Sequence, residues 1–273
     1  MSRRTNANLL ILIAPAAAVF GAFFLLPLAR LAVASVAGPW GLRIYLHALA
    51  TSRYLITLLN TVALSLAVTF TTLVLSGFSG VFLTRHRFWG KSFLVSLLTF
   101  PLAFPGVVVG FMIILLVGRQ GLVGDLSRAV TGEKIVLAYS MSGLFLGYLY
   151  FSIPRVILTI MAAAEKMNRS LEEAARSLGA PPWRVLRDVT IPALTPGLLS
   201  SGAICFATAM GAFGTAFTLA TDIDVLPIVI YTEFTLLANI TLAAALSIIL
   251  GLITWLVLSA ARAAAGSTLA AAG

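Results

Sequence analysis

The segment that decides the fold is the longest hydrophilic stretch of the chain, residues 165–195, which reads EKMNRSLEEAARSLGAPPWRVLRDVTIPALT. Ser170 and Glu173 have the S-x-x-E spacing of a capping box, which predicts that a helix begins at Ser170. Apolar side chains then recur with helical spacing on one face, at Leu171, Ala174, Ala175 and Leu178. The segment is therefore predicted to contain a short amphipathic helix, whose small, alanine-rich face suits it to receive a partner.

A turn and a second helix are predicted to follow. Gly179 stands at the C′ position, where a residue with positive φ commonly ends a helix. Pro181 and Pro182 favour the first turn of a second short helix, because proline is tolerated there. Thr195 and Pro196 have the residue types of an N-cap and a first helical position for the next apolar run. The whole segment thus predicts a helix, a glycine turn and a helix.

Long apolar runs make up most of the remaining sequence. Of the 273 residues, 60% are apolar or aromatic and 10% are charged, whereas about 25% are charged in a typical soluble domain. So few charges exclude a soluble enzyme, a disordered chain and a nucleic-acid binder, despite a net charge of +9. A helix needs about 20 residues to cross a bilayer. Six runs qualify, with cores near residues 9–30, 58–83, 93–117, 136–161, 197–219 and 237–260.

The distribution of basic residues predicts the orientation of these spans. With both termini in the cytoplasm, the cytoplasmic side has eleven Lys or Arg residues and four acidic residues. The outer loops have five Lys or Arg residues and five acidic residues. An excess of Lys and Arg marks the cytoplasmic side, so the N-in, C-in arrangement is favoured. The predicted fold is an all-α integral membrane protein, a single six-helix transmembrane domain over residues 1–273 with a cytoplasmic helix-turn-helix at 165–195.

Proline and glycine interrupt the predicted spans. Pro101, Pro105 and Gly106 predict a kinked helix beside a pathway, because proline frees a backbone carbonyl that a wet cavity or a neighbouring helix must satisfy. Two small-residue pairs predict close helix packing, Gly106 with Gly110 and Gly143 with Gly147. The single cysteine and two histidines provide neither a disulfide nor a metal site, so no metal is expected.

The hydrophilic segment resembles the EAA signature of the membrane subunits of bacterial ABC importers, E-A-A-x3-G-x9-I-x-L-P. Residues 173–175 read EAA, Gly179 follows after three residues, and residues 189–192 read VTIP after nine more. Val189 stands where the signature usually has Ile, and Ile191 stands where it usually has Leu. Each replacement has a volume similar to that of the usual residue. The likeness extends from about residue 118 to residue 220.

The resemblance implies a function for the segment and a set of partners. In that family the EAA loop is a coupling helix that docks into a groove on a cytoplasmic ATPase, so the implied coupling residues are Glu173, Ala174, Ala175, Leu178, Gly179 and Pro192. The partners would be an ATPase dimer, a second and homologous permease subunit, and an extracytoplasmic solute-binding protein. The implied location is the bacterial inner (cytoplasmic) membrane.

The chain is not expected to be an enzyme or to hold a cofactor, since ATP would be bound by the partner subunit. Gly90, Lys91 and Ser92 end like a phosphate loop, but the loop needs a glycine where Arg85 stands. The chain is therefore predicted to be a permease that relies on a separate ATPase.

The solute is predicted from the outer loop that follows the fifth span. Asp222, Asp224 and Glu233 lie there without a basic residue, which favours an organic cation of the polyamine type. The sequence also resembles spermidine/putrescine and iron(III) permeases. The fifth span is similar to a segment of sulfate and molybdate permeases, but Ala212 stands where those carry Glu. Iron(III), sulfate or thiosulfate, and a phosphonate are the alternatives, as is a simple contact of these acids with water or the binding protein.

Candidates for the translocation pathway are polar or aromatic residues within spans, namely Asn60, Tyr148, Tyr150, Ser201, Thr208 and Phe213. For most of them the alternative is hydrogen bonding between helices. Arg155 is expected near the cytoplasmic end of the fourth span, where its side chain can reach the interface. No Asp, Glu or Lys lies in a span core, so an ion-driven secondary transporter is a remote alternative.

Overall fold

The computed structural model describes residues 13–219 and 223–269, in which helices are joined by short connections. Within these residues we number twelve helices in chain order: α1 (Ile13–Val36), α2 (Arg43–Ala50), α3 (Ser52–Arg85), α4 (Lys91–Ala103), α5 (Gly106–Val117), α6 (Leu122–Thr131), α7 (Met141–Glu165), α8 (Arg169–Ser177), α9 (Pro182–Met210), α10 (Phe213–Leu219), α11 (Leu226–Leu236) and α12 (Ile240–Leu269).

The prediction of six membrane-crossing helices is confirmed. In the described part of the chain, six helical stretches are long and apolar enough to cross a membrane, namely α1, α3, α5 with α6, α7, α9 and α12. The described part of the chain is all-α, as predicted. The shorter apolar helices α4 and α11 were not predicted as separate elements.

Two of the predicted spans are interrupted. The run 93–117 is divided between α4 and α5, because Phe104 and Pro105 are both extended, with ψ of 131° and 149°. A residue before proline is sterically pushed out of the helical region, which explains the break. The run 197–219 is divided at Gly211, the C-cap of α9, after which α10 begins.

The helices form two compact units. One contains the chain up to Ile56 together with Val229–Gly251, and the other contains Thr57–Ile228 together with the chain from Leu252. The second unit holds a buried core that includes Leu144 and Ile160, both fully buried. The hydrophilic segment 165–195, with its EAA-like motif, belongs to this second unit.

Close backbone approach holds α5, α7 and α10 together, as the glycine spacing predicts. A Cβ added at Gly110 would lie 2.6 Å from Cβ of Thr218, and one added at Gly147 would lie 2.7 Å from Cγ2 of Thr215. Thr215 is itself fixed, because its hydroxyl donates to the carbonyl of Gly106 at 2.9 Å. Only glycine therefore fits these two positions without a shift in the neighbouring helix.

We expect Gly147→Ala to destabilise the folded protein by about 1–3 kcal/mol, the usual range for overpacking. Gly251→Ala is the matched control, because a Cβ there meets nothing within 4 Å and alanine favours a helix by up to about 1 kcal/mol over glycine. Thermal unfolding in detergent measures both. Equal melting temperatures for the two variants would contradict the proposed close packing.

Candidate functional site

The hydrophilic segment 165–195 begins with a capped helix. α8 starts at Arg169 and its N-cap is Asn168, whose side-chain oxygen accepts from the backbone N–H of Ser170 at 3.0 Å. The prediction that Ser170 caps the helix is therefore wrong. Because Asn168 makes the cap, Glu173 is not needed for it, and its side chain is exposed.

The glycine turn forms as predicted. Gly179 has φ of 80°, in the left-handed region. Its N–H donates to the carbonyl of Arg176 at 2.9 Å, and the N–H of Ala180 donates to the carbonyl of Ala175 at 3.1 Å. These two bonds are the pair that defines a Schellman motif, which satisfies the last carbonyls of the helix.

The second helix differs from the prediction in its length. Pro182 begins α9 as expected, but the helix continues to Met210. Thr195 and Pro196 therefore lie inside α9, where the hydroxyl of Thr195 donates to the carbonyl of Ile191 at 2.9 Å, and they do not start a new span. A π-helical turn at Leu186–Thr190 precedes the prolines, and such turns accommodate irregular hydrogen bonding within a helix.

Most of the apolar face of α8 is exposed, whereas Ala175 on that face is half-buried. Leu171 is 58% exposed and Leu178 is 89% exposed, and Ala174 between them is also exposed. Exposed leucines on a short helix are typical of a surface that binds a partner. The other implied coupling residue, Pro192, lies in the first turn of the regular part of α9.

From the coupling function that the EAA resemblance implies, we expect Gly179→Val to uncouple ATP hydrolysis from transport, because valine is strained at positive φ. Gly251→Val is the control, since Gly251 lies in α12 at an open position without positive φ. The ratio of solute imported to ATP hydrolysed measures coupling. An unchanged ratio for Gly179→Val would show that the turn is not required.

A second feature is a cavity of about 290 Å³ where two helices are broken. One wall is the break between α4 and α5, and the other is the break between α9 and α10. Its lining residues are Pro101, Leu102, Phe104, Gly106, Phe151, Arg155, Thr208, Gly211, Ala212, Gly214 and Thr215. Irregular backbone of this kind is tolerated in a membrane where it lines a cavity.

Arg155 supplies the charge of this cavity. Its Nη1 atom donates to the hydroxyl of Thr208 at 3.2 Å. Glu165, the last residue of α7, lies about 15 Å further along the helix axis at 1.5 Å per residue. α7 therefore extends four residues past the predicted span end at residue 161, and Arg155 lines the cavity ten residues before the end of the helix.

The start of α5 adds partial positive charge to the same cavity. Gly106 is the first residue of α5 and lines the cavity. The first N–H groups of a helix have no partner within it, and they carry the positive end of the helix dipole. Among the residues that line the cavity Arg155 is the ionisable one, so the cavity is electropositive.

The predicted pathway residues are distributed unequally around this cavity. Thr208 lines it. Tyr148 is buried beside it, and its hydroxyl donates to the carbonyl of Ala212 at 2.7 Å, which satisfies backbone freed by the break after α9. Phe213 follows the break and stacks on Phe217, with ring centroids 5.2 Å apart.

The other predicted pathway residues do not line the cavity. Ser201 is buried, and its hydroxyl donates to the carbonyl of Gly197 in its own helix at 2.7 Å. Asn60 is exposed on α3 and Tyr150 is half-buried on α7. Polar residue type alone therefore did not predict which residues line the cavity. Arg155 lines it but was not among the predicted pathway residues.

The three predicted vestibule acids have different positions. Asp222 lies outside the described residues. Asp224 is exposed. Glu233 is buried, and its carboxylate accepts from the hydroxyl of Tyr54 at 2.8 Å and from the side-chain amide of Asn239 at 3.4 Å. Glu233 therefore does not present an open charge to a solute, contrary to the prediction. No group of three His, Cys, Asp or Glu side chains in the described ranges is placed to hold a metal ion.

Comparison with known proteins places these features in context. Residues 73–266 match the family described as binding-protein-dependent transport system inner membrane component. The chain is 35% identical over 213 residues to "Sulfate permease 2, chloroplastic" of Chlamydomonas reinhardtii, which covers 78% of this chain and 56% of the relative. It is 37% identical over 141 residues to the molybdenum transport system permease protein ModB of Escherichia coli strain K12, which covers 52% of this chain and 61% of that protein. The matches thus span less than two thirds of either relative.

A solved structure shares the fold. A chain of the bacterial alginate ABC transporter, crystallised in complex with its alginate pentasaccharide-bound periplasmic protein, superposes with a TM-score of 0.81. The match covers 95% of this chain and 94% of that chain at 15% sequence identity. At 15% sequence identity this likeness shows a shared fold alone.

Proposed function

We propose, from the premise that this chain belongs to the family of binding-protein-dependent transport system inner membrane components, that it is the membrane subunit of an ATP-driven importer for a tetrahedral oxyanion such as sulfate or molybdate. The observation that carries the choice of solute is the electropositive cavity at the two helix breaks. The names of the sulfate and molybdenum relatives support the same class.

The position of Arg155 favours an anionic solute. A charged side chain deep within a membrane-spanning helix is costly, and where it persists it generally serves a solute pathway or a partner. Arginine offers several N–H donors in a planar fork that suits oxyanions. The first backbone N–H groups of α5 add further donors beside it.

The polyamine prediction is not retained. The cavity would repel an organic cation, Glu233 is engaged with Tyr54 and Asn239, and the relatives are named for sulfate and molybdenum. Iron(III), as a cation, is disfavoured for the same reason. Thiosulfate and phosphonates carry the same chemistry as sulfate, so they stay within the proposed class.

The energy source is proposed to be ATP bound by a separate subunit. The exposed face of α8, with Leu171 and Leu178, would enter a groove on a cytoplasmic ATPase, and the exposed carboxylate of Glu173 would contact the rim of that groove. A second permease subunit and an extracytoplasmic binding protein would complete the importer, in a bacterial inner membrane. Two rigid states of the permease would be biased alternately by ATP binding and hydrolysis.

Uptake by the reconstituted importer in liposomes tests this function. Radiolabelled sulfate, molybdate and spermidine are offered separately, with ATP or with only a proton or sodium gradient. We expect ATP-dependent uptake of sulfate or molybdate. Spermidine uptake would overturn the solute class, and uptake driven by a gradient without ATP would favour a secondary transporter.

A further inference from the structure

Glu172 is buried, whereas its neighbour Glu173 is exposed. Glu172 is 8% exposed, and one of its carboxylate oxygens, Oε1, accepts two hydrogen bonds. Nη2 of Arg85 donates to it at 2.6 Å, and the hydroxyl of Thr190 donates to it at 3.0 Å. Arg85 is the last residue of α3 and Thr190 lies in the π-helical turn of α9. A single carboxylate therefore joins three helices.

The contact between α8 and α3 is mainly polar. A cavity of about 760 Å³ lies beside it, lined by apolar residues of α3 and α9 that include Phe70, Phe78, Phe82, Leu194 and Leu198. Arg85, Arg169 and Glu172 lie at the same cavity, and Nη2 of Arg169 donates to the carbonyl of Thr84 at 3.4 Å. Because the cavity replaces apolar packing here, α8 is linked to the end of α3 by these polar contacts.

The ion pair is shielded from solvent. The side chain of Arg85 is 15% exposed and that of Glu172 is 11% exposed. Nε and Nη1 of Arg85 are buried without a hydrogen-bond partner among the described residues, so the guanidinium depends on its bond to Glu172. Removing one member of such a pair leaves an uncompensated buried charge, which costs far more than breaking a surface ion pair.

We propose that Arg85 and Glu172 are positioning residues that transmit the movement of α8 to α3. This inference rests on the proposed function, in which an ATPase moves α8. The covalent connections of α8 lead only to α7 and α9, whereas the Arg85–Glu172 pair provides a direct lateral link to a third membrane-spanning helix. ATP-driven movement of α8 then displaces the inner end of α3 together with α9.

The test compares coupling in the complete importer after each partner is neutralised. Glu172→Gln and Arg85→Gln should each lower the amount of solute imported per ATP hydrolysed by about tenfold, while ATPase activity and subunit assembly persist. The exchange Arg85→Glu with Glu172→Arg should restore a large part of the ratio. Asp188→Asn is the matched control, because it removes a 3.7 Å ion pair with Arg187 in the same loop, where both side chains are exposed.

A cross-link provides a second measurement that does not depend on charge. Arg85→Cys with Glu172→Cys should be uncoupled, and a short bifunctional thiol reagent should restore coupling by rejoining the two helices. The native Cys205 is 2% exposed and does not compete for the reagent. Unchanged coupling in Glu172→Gln, or no recovery in both the charge exchange and the cross-linked variant, would overturn the proposal. Failure of the unmodified importer to transport would instead count against the proposed function.

Discussion

Arg155→Gln should lower the ATP-dependent uptake of sulfate or molybdate by about ten- to a hundredfold. A hydrogen bond to a charged group contributes about 1.5–3 kcal/mol, and each 1.4 kcal/mol corresponds to a factor of ten. Glutamine keeps a polar side chain in the cavity but removes the charge that compensates the anion. The measurement is initial uptake at several solute concentrations in liposomes that contain the complete importer.

Two further variants distinguish the charge of Arg155 from its shape. Arg155→Lys should retain part of the uptake, since it keeps a cation but loses the planar fork of donors. Arg128→Gln should leave uptake unchanged, because Arg128 is exposed in the last turn of α6. Normal uptake of either anion by Arg155→Gln would remove the cavity from the proposed pathway.

Glu173→Lys should abolish uptake while membrane insertion continues. Glu173 is exposed on α8 beside the face that we propose docks on the ATPase. Reversal of its charge would remove an acidic contact and add a cation near Arg176 and Arg169, all of which border the same cavity. The measurement is ATP-dependent uptake together with co-purification of the ATPase subunit, which should decrease in parallel.

Glu165→Lys is the control for this second prediction. Glu165 is also exposed, and it lies at the end of α7, one connection away from α8. We expect uptake and ATPase retention close to those of the unmodified protein. Full transport by Glu173→Lys would argue that this carboxylate is not part of the docking surface.

The hydrophilic segment 165–195 was largely predictable because its signals are local. A glycine after an amphipathic helix indicates positive φ, and Gly179 has it. The choice between Asn168 and Ser170 as the N-cap was not decided by the sequence, because both side chains can cap a helix and they stand two residues apart. The S-x-x-E spacing favoured Ser170, whereas Asn168 is the N-cap.

The breaks within spans were harder to predict. An absence of charge identifies an apolar run but does not show where the helix within it ends. The continuation of α9 through Pro192 and Pro196 depends on the π-helical turn at Leu186–Thr190 and on contacts with neighbouring helices. These are tertiary effects, so a proline that suits a helix start could equally lie within a helix.

The cavity position of Arg155 and the proposed class of solute were not predicted, for a related reason. The predicted span 136–161 includes Arg155, but nothing in the sequence pattern shows that its side chain lines a cavity between helix breaks. The acids of the outer loop were counted as open charges, but Glu233 is paired through contacts that only the folded chain creates. Charge counting along a sequence does not distinguish a buried carboxylate from one that meets a solute.

The exposed leucines on α8 and at its C-cap also affect how the protein accumulates in a cell. Leu178 is 89% exposed and Leu171 is 58% exposed. A newly made chain therefore has an apolar surface in contact with water until another polypeptide covers it. We expect orphan copies to aggregate or to be degraded by quality-control proteases. Balanced synthesis of the subunits would then be a condition for accumulation of the protein.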